Sequence, residues 1–235
     1  MPNHTTNLLT IVGHKHIRPL LMPYMTWANE TISDTHGLNI QNKDESAYLD
    51  FNKIVPMPKE IERTCEMAGS DALKIRMSNK KEDIAKAKAM EKELKTLEKI
   101  CQKKYKAKGW YEWSNMYWGT KWNSYENRWD GTDDDGNEQL YFQTAWSPPE
   151  PVLRQLAIKL KKVVRVSYMD EGYGFFGVYH FYPDGSVDDE CYTEHKDVPE
   201  TLCDELGIES YEEAKQMEQE AEKFLKTGNK KKAKA

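Results

Sequence analysis

The chain is poor in apolar residues and has no long hydrophobic run. Hydrophobic residues make up 38% of its 235 residues and charged residues 31%, whereas typical globular chains contain about 45–50% apolar residues. No apolar stretch approaches the roughly 18 residues that a membrane-spanning helix requires, so we expect no contact with a membrane. The net charge of −5 argues against a dedicated binder of duplex DNA, because such proteins carry a basic face.

Cysteine is scarce and widely spaced. The four cysteines, Cys65, Cys101, Cys191 and Cys203, form no Cys-x-x-Cys pair, which argues against a zinc finger or an iron–sulfur cluster of ordinary spacing. Because no secretory signal sequence precedes them, we expect free thiols in a reducing cytosol rather than a disulfide framework. The predicted location is therefore cytoplasmic.

The sequence also lacks the common motifs of catalysis and metal binding. It contains no Gly-x-Ser-x-Gly elbow, no phosphate-binding loop and no His-Glu-x-x-His helix. His180 and His195 could act as bases only if a nucleophile lay nearby. The acidic residues 130–135 fit no register of a calcium-binding loop, which needs glycine at its sixth position and glutamate at its twelfth. We therefore expect no enzyme activity, no metal ion and no cofactor.

What the chain has in abundance is tryptophan within one segment. Six of its seven tryptophans lie between Trp110 and Trp146, and such a cluster forms either the packing centre of a domain or a recognition surface. As a surface, its rings would stack on nucleic-acid bases while basic side chains meet phosphate. Alternatively, the tryptophans fill the core, with Gly119 letting a backbone pass close by. The candidate partner-binding residues are Trp118, Lys121, Trp122, Asn123, Arg128 and Trp146.

Hydrophobic patterning predicts the order of the secondary-structure elements. Strands are predicted at residues 7–12, 48–55, 117–125, 139–144 and 164–168, followed by a hairpin of residues 175–182 and 187–192; residues 130–136 are predicted to be a loop. Helices are predicted from Ile17, from Lys59, over residues 81–108, after a capping box at Ser147–Glu150, and over residues 211–226. The narrow apolar stripe of the 81–108 helix would pack either on its own domain or on a partner helix.

This order predicts an α+β protein with a ferredoxin-like fold. A split β-α-β antiparallel sheet would carry two helices on one face, with a long helical insertion and a C-terminal helix added. The predicted division places residues 1–60 and 110–195 in the ferredoxin-like domain and residues 61–109 in the helical insertion. Residues 196–227 would form a C-terminal helical extension, and the lysine-rich residues 228–235 a disordered tail.

Several segments resemble one family of mobile-element proteins. Met1-Pro-Asn with the strand ending at Gly13 is similar to the opening of small phage and plasmid proteins of the YubB type, which carry a "ferredoxin-like" domain. Further similar segments are Asp50–Glu60, Asn115–Asn123, Thr144–Pro151 and Glu171–Gly177, so that the resemblance spans roughly residues 1–60 and 110–190. It implies a mobile-element origin and a place in the host bacterial cytosol. The family name describes the fold alone, and no established reaction comes with it.

The composition, the missing motifs and the resemblance together predict a non-enzymatic interaction protein. It would bind and modulate a host protein, during host takeover or against a host defence system. The alternative is a module that binds single-stranded nucleic acid with the aromatic face of its sheet. An uncharacterised enzyme is a third hypothesis, which a deep pocket joining His180 or His195 to carboxylates would support. The sequence leaves the oligomeric state open.

Overall fold

A computed structural model describes residues 3–27, 47–68, 75, 77–78, 80–133, 135–217 and 219–220. The sequence also predicts a loop at residues 33–46. That loop, the end of the predicted helix 211–226 and the predicted disordered tail 228–235 lie outside the described residues. In the described part of the chain, no helix is both long enough and apolar enough to cross a membrane.

The strands of the described residues form two antiparallel sheets. Six of the strands form one sheet, and a short pair forms the other. In chain order the strands are β1 (His4–Ile11), β2 (Met25–Trp27), β3 (Ala47–Leu49), β4 (Tyr125–Thr132), β5 (Glu138–Ala145), β6 (Val164–Asp170), β7 (Phe176–Phe181) and β8 (Val187–Tyr192). The large sheet has the order β4-β5-β1-β6-β7-β8, and β2 pairs with β3.

The helices lie between these strands and after them. In chain order they are α1 (Arg18–Leu21), α2 (Phe51–Ile54), α3 (Lys59–Ala68), α4 (Lys81–Tyr105), α5 (Trp110–Tyr117), α6 (Glu150–Leu160) and α7 (Glu200–Leu206). Residues 211–217 are also helical. Single 3₁₀ turns cover Met22–Tyr24 and His195–Asp197.

Four strands of the large sheet form the predicted split unit. Along the chain they are β1, β4, β5 and β6, and in the sheet they stand in the order β4-β5-β1-β6 with every neighbour antiparallel. This is the strand arrangement of a β-α-β-β-α-β ferredoxin-like fold, so the predicted α+β class is confirmed. The predicted hairpin, β7 and β8, extends the sheet beyond β6.

The second strand of the split unit is not the predicted one. Of the predicted 48–55 strand, only residues 48–49 are extended, as the end of β3. At Asp50 the chain turns into α2, because the Asp50 Oδ1 atom accepts the Asn52 N–H at 3.0 Å and caps the helix. The second strand is instead β4, which includes part of the segment predicted as a loop.

The predicted strand at residues 117–125 is also wrong. Residues 110–117 form α5, and β4 begins only at Tyr125. Aromatic residues favour strands in general, but here Trp113 and Tyr117 are four residues apart on one helical face, and their rings stack 5.0 Å apart. The helical spacing of the aromatic residues therefore determines the secondary structure of this segment, although their strand propensity favoured a strand.

The main core lies on one face of the large sheet. Leu9, Phe142 and Val166 point from the sheet into a cluster that also holds Leu153 and Leu156 of α6. The segment between β1 and β4 contributes to the same cluster. Its fully or almost fully buried members there are Ile17, Leu21, Met25, Leu49, Phe51, Ile54, Met57, Ile61, Cys101, Ala107, Trp113 and Trp118. The division of the chain into a ferredoxin-like domain and a separate insertion remains a prediction.

A smaller cluster covers the opposite face of the sheet. Leu8 and Phe176 meet Leu202 and Leu206 of α7 there. The Arg165 guanidinium donates two hydrogen bonds to the Glu205 carboxylate, at 2.5 and 2.7 Å, and this pair fixes α7 on the sheet. The two helical connections of the split unit thus occupy one face, and α7 lies on the other.

Candidate functional site

Two of the six predicted site residues make structural contacts, Trp118 in the core and Asn123 at its half-buried edge. Trp118 is fully buried, and its Nε1–H donates to the carbonyl oxygen of Val55 at 2.9 Å. The Asn123 Oδ1 atom accepts the Phe51 N–H at 2.8 Å, while the Asn123 Nδ2 group donates to Asp50 Oδ1 at 2.8 Å. Trp118 and Asn123 therefore hold the β3–α2 junction in place, as the packing alternative predicts.

Gly119 shows why the chain can pass so close at this point. Its φ is +76°, and a Cβ atom added there would lie 2.6 Å from the Pro151 ring at the start of α6. The predicted capping box differs in detail. Ser147 donates from its Oγ atom to the Gly119 carbonyl at 2.6 Å, and Pro149 stands at the N-cap of α6 without a side-chain cap.

Three other predicted residues come together at the surface. The Lys121 ammonium lies 4.5 Å from the ring centre of Trp122 and 5.1 Å from that of Trp146. Tyr111 extends this group, because its ring meets the Trp146 ring edge-on at 6.3 Å and the Trp110 ring at 5.8 Å. We call these five residues, Trp110, Tyr111, Lys121, Trp122 and Trp146, the indole patch.

The indole patch is open to solvent in part. Tyr111 is 47% exposed and Trp146 39% exposed, while Trp110, Lys121 and Trp122 are half-buried. The sequence pattern missed Trp110 and Tyr111 because it predicted no helix over residues 110–117. In a helix, Tyr111 points away from Trp113, and this spacing could have identified it as a surface residue.

Trp146 holds an unusual backbone conformation. Its φ is +73°, in the left-handed region, where the Cβ atom of any residue but glycine is crowded, at a cost of roughly 1–2 kcal/mol. The Trp146 N–H donates to the Asn3 carbonyl oxygen at 3.0 Å, immediately after β5 ends. The chain turns here into residues 147–149, and the left-handed residue at the turn is a large aromatic one.

Arg128, the sixth predicted residue, lies elsewhere. Its guanidinium stacks over the Tyr141 ring at 3.4 Å and pairs with the Asp130 carboxylate at 3.1 Å. Arg128 and Tyr141 are paired residues of β4 and β5 on the face of the sheet that α7 covers. Arg128 therefore contacts residues of the sheet, and Lys121 is the cation of the indole patch.

A cleft of about 830 Å³ opens on that second face. It brings His180 of β7 together with Arg165, Glu190 and Glu205, which is the juxtaposition that the catalytic hypothesis requires. Burial, and then the Arg165 charge, lowers the pKa of His180 below its usual value. The Glu205 carboxylate raises the pKa of Arg165 by accepting its hydrogen bonds.

The other candidate residues have local contacts. His195 stacks on Phe176 at 5.5 Å, and its Nε2 atom lies 2.9 Å from the Glu209 carbonyl oxygen. Asp133 accepts the Asn137 N–H at 2.7 Å within the β4–β5 turn. The described residues contain no group of three or more His, Cys, Asp or Glu side chains placed to hold a metal ion.

Comparison with known proteins agrees with the predicted ferredoxin-like fold class. Residues 118–224 match the model of a family described as the ferredoxin-like domain in Api92-like protein. No curated protein matches the chain. The crystal structure of the protein api92 from Yersinia pseudotuberculosis is similar with a TM-score of 0.41 and 10% identity, over 82% of this chain and 98% of that one. Over residues 118–224 the chain is thus similar to the ferredoxin-like domain of Api92-like proteins.

Proposed function

We propose that this chain is a non-enzymatic interaction protein of phage or plasmid origin that binds and modulates a host protein through the indole patch. Tryptophan and tyrosine are the residues that most often dominate the energy of protein–protein contacts. In the indole patch, Tyr111 contacts the Trp110 and Trp146 rings, and Lys121 lies over the Trp122 and Trp146 rings. Such a cluster suits a partner surface that is apolar with an acceptor group opposite Lys121.

The observation that carries this proposal is the conformation of Trp146. A strained left-handed backbone at a large residue needs a compensating gain, and burial of the ring would supply one. Trp146 is nevertheless 39% exposed, so burial within the chain offsets the backbone strain only in part. A partner that covers the ring would bury the rest of it. Glycine at this position would be the better choice if folding alone mattered.

The surroundings favour a protein partner over single-stranded nucleic acid. Base stacking with phosphate contact needs exposed rings beside several cations. Trp118 is fully buried, and Arg128 is engaged by Tyr141 and Asp130. Lys121 is the one cation among the five residues of the indole patch, and its ammonium already faces two rings.

The test uses Trp146→Gly as the binding variant and Trp27→Ala as the matched control. Trp27 is 46% exposed but lies in β2, outside the indole patch. We expect the free energy of unfolding of Trp146→Gly to lie within about 1 kcal/mol of the wild-type value, because the relief of backbone strain offsets the lost ring contacts. In pull-downs from bacterial lysate, a partner should be retained by wild type and Trp27→Ala and lost with Trp146→Gly.

The proposal fails if no protein is retained, or if the wild type and both variants retain the same proteins. Titration with single-stranded oligonucleotides at low salt tests the alternative. Quenching of tryptophan fluorescence that disappears in Trp146→Gly but persists in Trp27→Ala would assign the indole patch to nucleic acid instead.

A further inference from the structure

Two buried polar side chains in the cleft of the second face lack protein partners. Thr10 of β1 comes directly after Leu9, and Gln139 of β5 comes directly before Leu140, the residue that pairs with Leu9. They are 3% and 6% exposed, and both line the cleft. Within the described part of the chain, neither side chain makes a hydrogen bond, in contrast to nearby Ser167, which donates to Glu205 at 2.9 Å.

The polar atoms of Thr10 and Gln139 open into the cleft, because the fully enclosed side-chain atoms without a partner among the described residues are Thr5 Oγ1 and Asn7 Oδ1. Polar groups that converge on a cleft without a protein partner are the kind that fix a ligand there. A hydroxyl and an amide side by side at the floor of an 830 Å³ cleft would be paired by a bound molecule. Clefts of about 300–1,000 Å³ are the usual size of small-molecule sites.

The charges around the cleft indicate the sign of that molecule. Glu205 is paired with Arg165, and Asp133 accepts hydrogen bonds from Asn137. The carboxylates of Asp135, Glu190 and Asp204 also line the cleft, and the described residues place no cation within 4 Å of them. Acceptors therefore outnumber donors on the walls, which favours a ligand that is positively charged and rich in N–H groups.

We propose that this cleft binds a small, multiply protonated aliphatic amine of the polyamine class. Its ammonium groups face Glu190 of β8 and Asp204 of α7, and its N–H groups donate to the side-chain oxygens of Gln139 and Thr10. Arg165 and Glu205 hold α7 on the sheet and so set the width of the cleft. This site is separate from the indole patch.

Calorimetric titration with spermidine at low ionic strength tests the proposal. We expect saturable binding to one site per chain. Thr10→Val and Gln139→Leu should each weaken it tenfold or more, yet raise the midpoint of thermal unfolding without spermidine, since an unpaired polar group is replaced by an apolar one of similar shape. This opposite effect on affinity and stability separates a ligand-binding role from a structural one.

Two further variants control for charge and for folding. Glu190→Gln, on the exposed edge strand β8, should weaken spermidine binding tenfold or more even if a β1 or β5 variant does not fold. Glu212→Gln removes an equal charge from the exposed helical segment 211–217 and should leave the affinity unchanged. The proposal is overturned if spermidine gives no saturable heat, if Glu212→Gln weakens binding as much as Glu190→Gln, or if folded Thr10→Val and Gln139→Leu bind like the wild type.

Discussion

Gly177 shows how a single position fixes the pairing of three strands. A Cβ atom added there would lie 2.4 Å from the Glu190 carbonyl oxygen and 2.4 Å from the Tyr168 hydroxyl oxygen. The Tyr168 hydroxyl donates to Asp189 at 3.0 Å, and its ring stacks on Tyr179 at 4.8 Å. Gly177 is therefore the residue over which the Tyr168 ring crosses from β6 towards β8.

We predict that Gly177→Ala destabilises the protein by about 3 kcal/mol or more, at the upper end of the usual cost of overpacking. The added methyl group would push against a backbone carbonyl as well as a ring, and overpacking of this kind costs about 1–3 kcal/mol or more. Urea unfolding followed by circular dichroism measures the effect. Gly131→Ala is the matched control, because its Cβ atom would meet nothing within 4 Å and only its φ of +81° is unfavourable, for about 1–2 kcal/mol. Equal losses in the two variants would refute the steric explanation.

Tryptophan takes opposite roles at two positions of the same segment. Trp118 is fully buried and donates its N–H to Val55, whereas Trp146 is partly exposed and strained. The sequence predicted that the segment would matter and offered both roles. It could not assign them residue by residue, because burial depends on the course of the chain between Trp118 and Tyr125, which the sequence did not reveal.

At the scale of elements, a carboxylate joins α3 to the C-terminal end of α4. Glu60 accepts a hydrogen bond from the Lys104 ammonium at 2.8 Å and one from the Tyr105 hydroxyl at 3.0 Å. The Lys104 contact, with smaller contributions from the backbone and from Tyr105, lowers the pKa of Glu60 to about 2. A carboxylate whose pKa is lowered on folding stabilises the folded state above its unfolded pKa, and the contribution disappears as the pH falls through the folded pKa.

We therefore predict that Glu60→Gln changes how the midpoint of thermal unfolding depends on pH. The variant should melt below the wild type above about pH 4.5, and the difference should shrink to zero as the pH falls towards about 2. Scans at several pH values measure this. Tyr105→Phe keeps the contact between Glu60 and Lys104, so its melting temperature should fall below that of the wild type by a smaller amount over the same pH range. A constant difference over the whole range would show that Glu60 stabilises the helices by something other than its charge.

Most elements were predictable where a local pattern determines them. The first strand, the long charged helix and the C-terminal hairpin are confirmed as β1, α4 and the β7–β8 pair. β4 was missed because its register is irregular, with shifts between Tyr125 and Arg128 and between Trp129 and Thr132. Its pairing depends on β5 and on the Asn127 side chain, which accepts the Leu49 N–H at 3.0 Å. Such long-range contacts leave no periodic signal in the sequence.

The predicted site was recovered only in part for a related reason. Lys121, Trp122 and Trp146 come together, but Tyr111 and Trp110 join them through a helix that the sequence pattern did not predict. The cleft of the second face is assembled from β1, β5, β6, β7, β8 and α7. Its residues Thr10 and Gln139 are ordinary strand residues in the sequence, and only their position in the cleft without a protein hydrogen-bond partner distinguishes them.

At the scale of the whole molecule, the segment between β1 and β4 shares the core of the sheet. Ile61 of α3 and Cys101 of α4 are both fully buried in the cluster that contains Leu9, Phe142 and Leu156. Apolar contact of this kind couples the stability of the parts that it joins, because removal of one side exposes the other. The helices around residues 61–109 should thus unfold together with the sheet, although they are remote from it in sequence.

The last prediction tests this coupling with Ile61→Ala. Loss of a fully buried isoleucine costs about 2–5 kcal/mol, and in a shared core the loss should appear in every probe. Far-UV circular dichroism reports mainly on the helices. Tryptophan fluorescence reports on the seven tryptophans, which all lie outside residues 61–109 and of which Trp113 and Trp118 are buried in the core. Both urea transitions should coincide in the wild type and shift together in the variant. Ile84→Ala is the control, because Ile84 on α4 is 43% exposed. It should change the free energy of unfolding by no more than about 0.5 kcal/mol in either probe. A helical transition that moves alone, leaving the fluorescence transition in place, would mean that the insertion folds as a unit of its own.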